Sequence, residues 1–109
     1  MSASNKFSWI YVPTKNVSEA RRIARILLKE KLAACANIVP EMESLYFWKG
    51  KIVSGREALL LLKTKSINFS KVSRRIELLH SYKVPCVAAL SVTKVNKIYG
   101  EWLLKESQV

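Results

Sequence analysis

Residues 32–65 read LAACANIVPEMESLYFWKGKIVSGREALLLLKTK, and they decide the fold. Alternation runs through Ala33 to Val39, Leu45-Tyr46-Phe47-Trp48 is rich in aromatics, and Lys49-Gly50-Lys51 supplies a turn. Ala58 to Leu62 is apolar without interruption, bounded by charge at Arg56-Glu57 and at Lys63. The pattern predicts a β-hairpin whose second strand has no polar face. A strand apolar on both sides must be covered on both sides. A chain of 109 residues struggles to provide that cover alone, so the stretch points to an oligomer.

Upstream, Phe7 to Val12 reads as a first strand ended by Pro13, with Phe7, Trp9 and Tyr11 on one face. Asn16 is placed to cap a helix, with Glu19 in the capping-box position three residues on. Ala20, Ile23, Ala24, Leu27 and Lys31 form one stripe of this helix, which is expected to run to about Lys31. Arg21, Arg22, Arg25 and Lys29 fall largely outside the stripe. Downstream of the hairpin, Asn68 or Ser70 caps a second helix to about Ser81, buried through Phe69, Val72, Ile76 and Leu79. Lys71, Arg74 and Arg75 face out. Pro85 opens a strand from Cys86 to Val92, and Asn96 caps a short last helix carrying Ile98, Tyr99, Trp102 and Leu103.

The order β-α-β-β-α-β plus a C-terminal helix predicts an α+β fold, the ferredoxin-like sandwich. Right-handed crossovers put the first and third strands at the centre and the second and fourth at the edges. Cys35 and Cys86 then lie on opposite edges, roughly 14 Å apart and beyond disulfide reach. Both helices cover one sheet face and present a basic outer layer, and the other face still needs a cover.

Composition sets the remaining bounds. Length and 50% hydrophobic content predict one globular domain over residues 1–109. No apolar run approaches the ~18 residues of a membrane span. The start, Met1 to Lys6, is polar, and Phe7 to Val12 is too short for a secretory signal. A cytoplasmic protein without a membrane contact is expected. In that compartment the sequons at Asn16 and Asn68 have no role. With no C-x-x-C, Cys35 and Cys86 are expected to be small buried thiols. A net charge of +11 should attract anions, whether nucleic acid, phosphate ligands or an acidic partner; solubility alone is the competing explanation.

No catalytic constellation is visible. His80 is the single histidine, there is no G-x-S-x-G, and Gly50, Gly55 and Gly100 build no phosphate loop. Glu41 and Glu43 form the one close acid pair and read as solvated hairpin polarity. An enzyme is therefore not expected. RNA-recognition motifs share this strand order, and Phe7, Trp9 and Tyr11 fit the first strand of one. The third strand, Ala58-Leu59-Leu60-Leu61-Leu62, has none of the required aromatics, which argues against nucleic acid.

The blocks KLAACANIVP, SLYFWKGKI and ALLLLKT, followed by His80 to Pro85, resemble the CutA family of divalent-cation tolerance proteins from about Ile10 to Trp102. The resemblance implies a homotrimer, related in architecture to PII-type signalling proteins, in which each long hairpin extends a neighbour's sheet. It also implies a link to copper and other divalent cations, and, for animal members, to acetylcholinesterase anchoring. By the same resemblance His80 matches the histidine of H-P-Y-E-V-P and is a metal-ligand candidate. Tyr46, Trp48, Lys63 and Tyr82 match positions that line clefts between subunits.

This chain departs from the pattern. His80-Ser81-Tyr82-Lys83-Val84-Pro85-Cys86 lacks both family glutamates, and Val53-Ser54-Gly55-Arg56 stands where an acidic run is usual. Val12 and Leu79 stand where some bacterial members carry a cysteine and a second histidine. Cys86, six residues from His80, is a soft donor that could compensate. For His80 two readings stay open: metal ligation, or a helix-end residue bonded to a carbonyl. The expected function is a non-enzymatic trimer in divalent-cation (copper) tolerance with weak metal binding between subunits. The alternatives are a basic, PII-like module that docks an anionic ligand or partner, and a structural trimeric scaffold.

Overall fold

A computed structural model describes residues 6–107; Met1–Asn5, most of the polar start, lies outside the described residues. Four strands form one antiparallel sheet in the order β2-β3-β1-β4. They are β1 (Phe7–Thr14), β2 (Cys35–Trp48), β3 (Lys51–Lys65) and β4 (Ala88–Val92). The helices are α1 (Val17–Lys29), α2 (Phe69–Leu79) and α3 (Lys97–Glu106), with a 3₁₀ turn at Ser66–Asn68 before α2. Central and edge strands are those expected from right-handed crossovers.

Alternation on the two central strands separates the sheet's faces. Ile10, Val12, Ala58, Leu60 and Leu62 are buried under α1 and α2, where they meet Ala20, Ile23, Leu27, Val72 and Ile76. Tyr11, Leu59 and Leu61 point the other way and are only half-buried. Strand β1 does not stop at Pro13, as expected from sequence, but continues to Thr14. Strand β4 reaches only as far as Ala88 opposite Tyr11, so Pro13 has one neighbour strand, and its missing N–H removes no ladder bond on the open side.

The hairpin is longer than its sequence pattern implied. Strand β2 runs unbroken through Pro40, because the ladder to β3 slips between Val39 and Met42. The bulge accommodates a proline that could not donate in a regular ladder. Lys49 and Gly50 both have positive φ (52° and 79°), the two-residue turn that matches strand twist. The hairpin stretches the molecule to 44 × 28 × 22 Å.

Three helix ends differ from expectation. Helix α1 ends at Lys29, two residues early, because Lys31 takes a left-handed φ of 63°. The amides of Lys31 and Leu32 then close back on the carbonyls of Leu28 and Leu27, a Schellman ending with lysine where glycine is usual. Helix α2 stops at Leu79. Its N-cap, Asn68, has a helical backbone (φ −82°, ψ −6°) after the 3₁₀ turn and makes no capping bond; the side-chain amide donates to Thr64 Oγ1 and the Ser107 carbonyl, both at 3.1 Å. Strand β4 starts at Ala88, leaving Cys86 outside it. Cys86 is exposed and Cys35 half-buried, so the expectation of two small buried thiols fails; both are free.

Helix α3 covers one end of the second sheet face. Gly100 permits that approach: a Cβ there would stand 3.1 Å from Val95 Cγ1 and 3.4 Å from Phe7. Asn68→Ala is expected to lower unfolding stability by about 1–3 kcal/mol, since it orphans the buried Ser107 carbonyl. Hydrogen exchange in α3 should rise with it; an unchanged melt and unchanged α3 protection would show that Asn68 does not anchor the helix.

Candidate functional site

The polar centre of the molecule is Glu19, a buried carboxylate in the first turn of α1. Its amide donates to Asn16 Oδ1 at 2.9 Å, the expected cap. Its carboxylate does not close the box on the Asn16 amide. Oε1 accepts from Lys15 N at 3.0 Å, one residue upstream, and Oε2 accepts from Ser81 N at 2.7 Å. Glu19 thus ties the start of α1 to the connector that follows α2. Burial pushes its carboxyl up, but the Lys15 and Ser81 bonds and nearby His80 outweigh that and hold it below its ordinary value.

His80 sits beside it, 8% exposed. Nε2 lies 2.8 Å from the Pro13 carbonyl, on the stretch of β1 that β4 does not reach. A carbonyl only accepts, so Nε2 carries the hydrogen, and Nδ1 accepts from Tyr82 N at 3.1 Å. Both ring nitrogens are engaged, with Glu19 Oε2 3.9 Å from Nδ1. The helix-end bond to a carbonyl, one of the two readings open for this residue, is present. The imidazole replaces the strand neighbour that Pro13 lacks.

Tyr82 carries the network to the hairpin. Its hydroxyl donates to Glu57 Oε2 at 2.8 Å, and Ser44 Oγ donates to Glu57 Oε1 at 2.6 Å. Burial first, and then the Glu57 carboxylate, push the Tyr82 phenol far above its ordinary value. Its ring stacks obliquely on His80 at 4.6 Å. Tyr46 lies close enough to add to the Tyr82 shift and flanks Gly55. Glu41 pairs with Arg56, and Glu43 accepts from Ser54 at 3.2 Å, so this acid pair is spent on the hairpin surface.

The four cleft candidates do not meet within one subunit. Tyr46 and Tyr82 share the Glu57 end of the hairpin base, while Trp48 is near the tip, opposite Lys51, and 61% exposed. Lys63 is at the far end of β3, with its ammonium 5.2 Å from the Trp9 ring and 5.5 Å from the Tyr99 ring. At ~3.3 Å per residue, Lys51 and Lys63 stand about 40 Å apart along the strand. Opposite Lys63 is Cys35; burial first, and then the neighbouring Cys35 thiol, raise the pKa of Tyr99. Lys63 lies over Trp9 and α3 approaches Phe7, and these two and Tyr11 are all half-buried on β1.

The donor set for a metal does not close in one subunit. Among the described residues no group of three or more His, Cys, Asp or Glu side chains converges. A metal at His80 requires breaking the Tyr82 or the Pro13 bond, and Cys86 offers an exposed thiol with no second donor given by the fold. Sequence reading missed Glu19 and Glu57 as partners of His80 and Tyr82. A signal existed for Glu19: it lies four residues before Ile23 and eight before Leu27, on the inward stripe where a carboxylate needs partners.

Because Glu19 titrates lower in the folded chain, its stabilisation is complete above its ordinary value of 4.5 and is lost as pH falls through the folded value. Glu19→Gln should melt lower at neutral pH and show a shallower loss of stability between about pH 5 and about pH 2. Thermal melts across that range check this; an unchanged acid slope would remove Glu19 from the account.

Comparison with known proteins places this geometry. A family profile described as CutA1 divalent ion tolerance protein matches residues 8–106. The divalent-cation tolerance protein CutA of Thermus thermophilus is 46% identical over 94 residues, covering 86% of this chain and 89% of the relative. The CutA homolog of Xenopus laevis is 38% identical over 100 residues, 92% of this chain and 66% of its own. Among solved structures, CutA1 from Oryza sativa superposes with a TM-score of 0.92 at 36% identity and covers 98% of both chains. The periplasmic divalent cation tolerance protein CutA from Archaeoglobus fulgidus gives 0.91 at 34% identity, over 94% of this chain and 99% of that one. On this agreement in sequence and structure, the chain belongs to the CutA1 divalent ion tolerance protein family.

Proposed function

We propose that this protein acts as a non-enzymatic homotrimer in tolerance of divalent cations, copper among them. The observation that carries the assembly is the uncovered sheet face together with the hairpin that projects beyond it. Leu45, Phe47, Trp48 and Ile52 are each more than 60% exposed, a contiguous apolar arm that a monomer would leave in water. Edge strands β2 and β4 have open ladders. A neighbour's hairpin laid on this face and edge covers Tyr11, Leu59, Leu61 and Leu90, each burial adding up to about 1.5–3 kcal/mol. It also brings the Trp48 end of one hairpin toward another subunit, so that Tyr46, Trp48, Lys63 and Tyr82 line clefts shared between chains.

Metal contact, on this reading, is weak and made between subunits. Cys86 supplies the accessible soft donor, and His80 joins it only by giving up the Tyr82 amide. Assembly triples the +11 charge and disfavours free cations in solution, which supports a response role over a storage role. The exposed free thiol supports a reducing, cytoplasmic compartment. The relative from Archaeoglobus fulgidus is described as periplasmic, so family members need not share one.

Light scattering should give three times the 12.4 kDa chain mass, and Trp48→Asp should lower it toward the monomer. A monomeric wild type would end the assembly reading. Calorimetric titration with Cu(II) should show weak heat that Cys86→Ser removes, while His80→Ala chiefly lowers the melting temperature. Tight binding lost in His80→Ala at unchanged stability would contradict the hydrogen-bonded role of the imidazole.

A further inference from the structure

The outer surface of the helical layer is independent of the assembly face, because it lies on the opposite side of the sheet. Helix α1 presents Arg21, Arg22, Arg25 and Lys29 to solvent along one shallow groove, with Ile26 and Leu28 half-buried between them. A second groove follows beside α2, lined by Lys71, Arg74, Arg75 and the largely exposed Leu78. The acids on these two helices are already committed or few. Glu19 is buried, Glu30 is held by Arg75 in a two-pronged pair at 2.8 and 2.9 Å, and only Glu77 remains. Arg22 donates to the Leu79 carbonyl at 2.9 Å. Among the described residues, Arg21, Arg25, Lys29, Lys71 and Arg74 form no ion pair.

That distribution costs the helix something. Arg21 and Arg25, and again Arg25 and Lys29, are like charges one turn apart, an unfavourable arrangement on an isolated helix. The charge is unevenly spread as well: the hairpin sets Glu41, Glu43 and Glu57 among five bases, whereas α1 and α2 with their caps expose only Glu30 and Glu77 against seven. An anionic partner relieves the repulsion, and arginine forks recognise carboxylates in pairs.

We propose that the α1 stripe, extended by α2, is a docking surface for an acidic amphipathic helix of a partner protein. Its glutamates would meet Arg21, Arg22, Arg25 and Lys29, and its apolar residues would lie on Ile26, Leu28 and Leu78. Two features favour a polypeptide over the other anions that a basic surface attracts. Single-stranded nucleic acid is held by aromatic stacking platforms, and neither groove has an aromatic lining residue. A membrane surface calls for large apolar side chains that insert, and the α1 groove offers only two half-buried aliphatics between guanidinium groups.

Fluorescence anisotropy tests the proposal on the full chain. The probe is a labelled helical peptide of about 20 residues with glutamates on one face bordered by leucines, long enough to hold a helix. A scrambled peptide of the same composition, oligouridine RNA and phosphatidylserine vesicles run beside it. The peptide should bind, should weaken as salt rises from about 0.05 M to about 0.5 M, and should outbind its scramble. Arg21→Glu with Arg25→Glu should cost about tenfold or more in affinity. Lys94→Glu with Lys97→Glu, the same charge change on another surface, should cost little. Arg21→Gln with Arg25→Gln, which keeps helix propensity, repeats the loss if the reversed pair misfolds. Equal losses from both reversed pairs would reduce the effect to overall charge and overturn the proposal. So would an equally tight scramble, or binding to RNA or vesicles in place of the peptide.

Discussion

Strand β3 is the constraint on which the rest depends. Its run from Ala58 to Leu62 has no polar face, and the chain owns enough helix to cover one side only. On that side, Ala58, Leu60 and Leu62 disappear under α1 and α2. On the other, α3 reaches one end, around Lys63 and Phe7, and stops. What remains is a half-covered sheet joined to a long apolar hairpin. In the proposed assembly both defects have the same remedy, a second copy of the same surface, because an arm that exposes aromatics and a face that lacks a cover are complementary in kind.

The connector after α2 shows how a polar network substitutes for a missing strand. Strand β4 is too short to pair with the end of β1, so the Pro13 carbonyl has no ladder partner there. His80 fills that position with one nitrogen and fixes Tyr82 with the other, while Glu19 holds Ser81. Tyr82 then reaches Glu57 and through it Ser44, linking the helical layer to the hairpin base. Every member has its partner, and no buried side-chain nitrogen or oxygen among the described residues goes without one. A histidine so engaged is a positioning residue first. Its availability to a metal depends on what breaks that ring of bonds.

Strand order, helix faces and the one-sided cover are legible in the hydrophobic pattern itself, because period-two and period-3.6 burial follow directly from backbone geometry. Positions decided by a single hydrogen bond are not legible in that way. Asn68 looks like a cap by residue type, but the 3₁₀ turn before α2 gives it a helical backbone, and its amide donates to the Ser107 carbonyl 39 residues away. Lys31 looks like a helical residue until the Schellman closure demands a left-handed backbone. Cys86 looks like a strand residue because Pro85 and Val87 flank it, yet β4 has no pairing partner before Ala88. Of the candidate site, the residue types were visible and the distances were not. Trp48, opposite Lys51, and Lys63 lie at the two ends of one ladder, and no sequence pattern reveals whether a second chain brings them together.

The two faces of the sheet therefore differ in physical character, and the two proposed roles divide between them. The exposed aromatics of β2 and one of the two open ladder edges lie on the hairpin, which suits the shape and dryness that the proposed assembly needs. Uncompensated positive charge is concentrated on the helical side, where recognition needs reach and salt-tunable attraction. Mixing them would harm both, since desolvating unpaired guanidinium groups at an assembly interface is costly, and an apolar patch on the outer layer would invite non-specific association. Placing α1 and α2 on one face only is what makes the separation possible, and that placement follows from two right-handed crossovers on a sheet of this order.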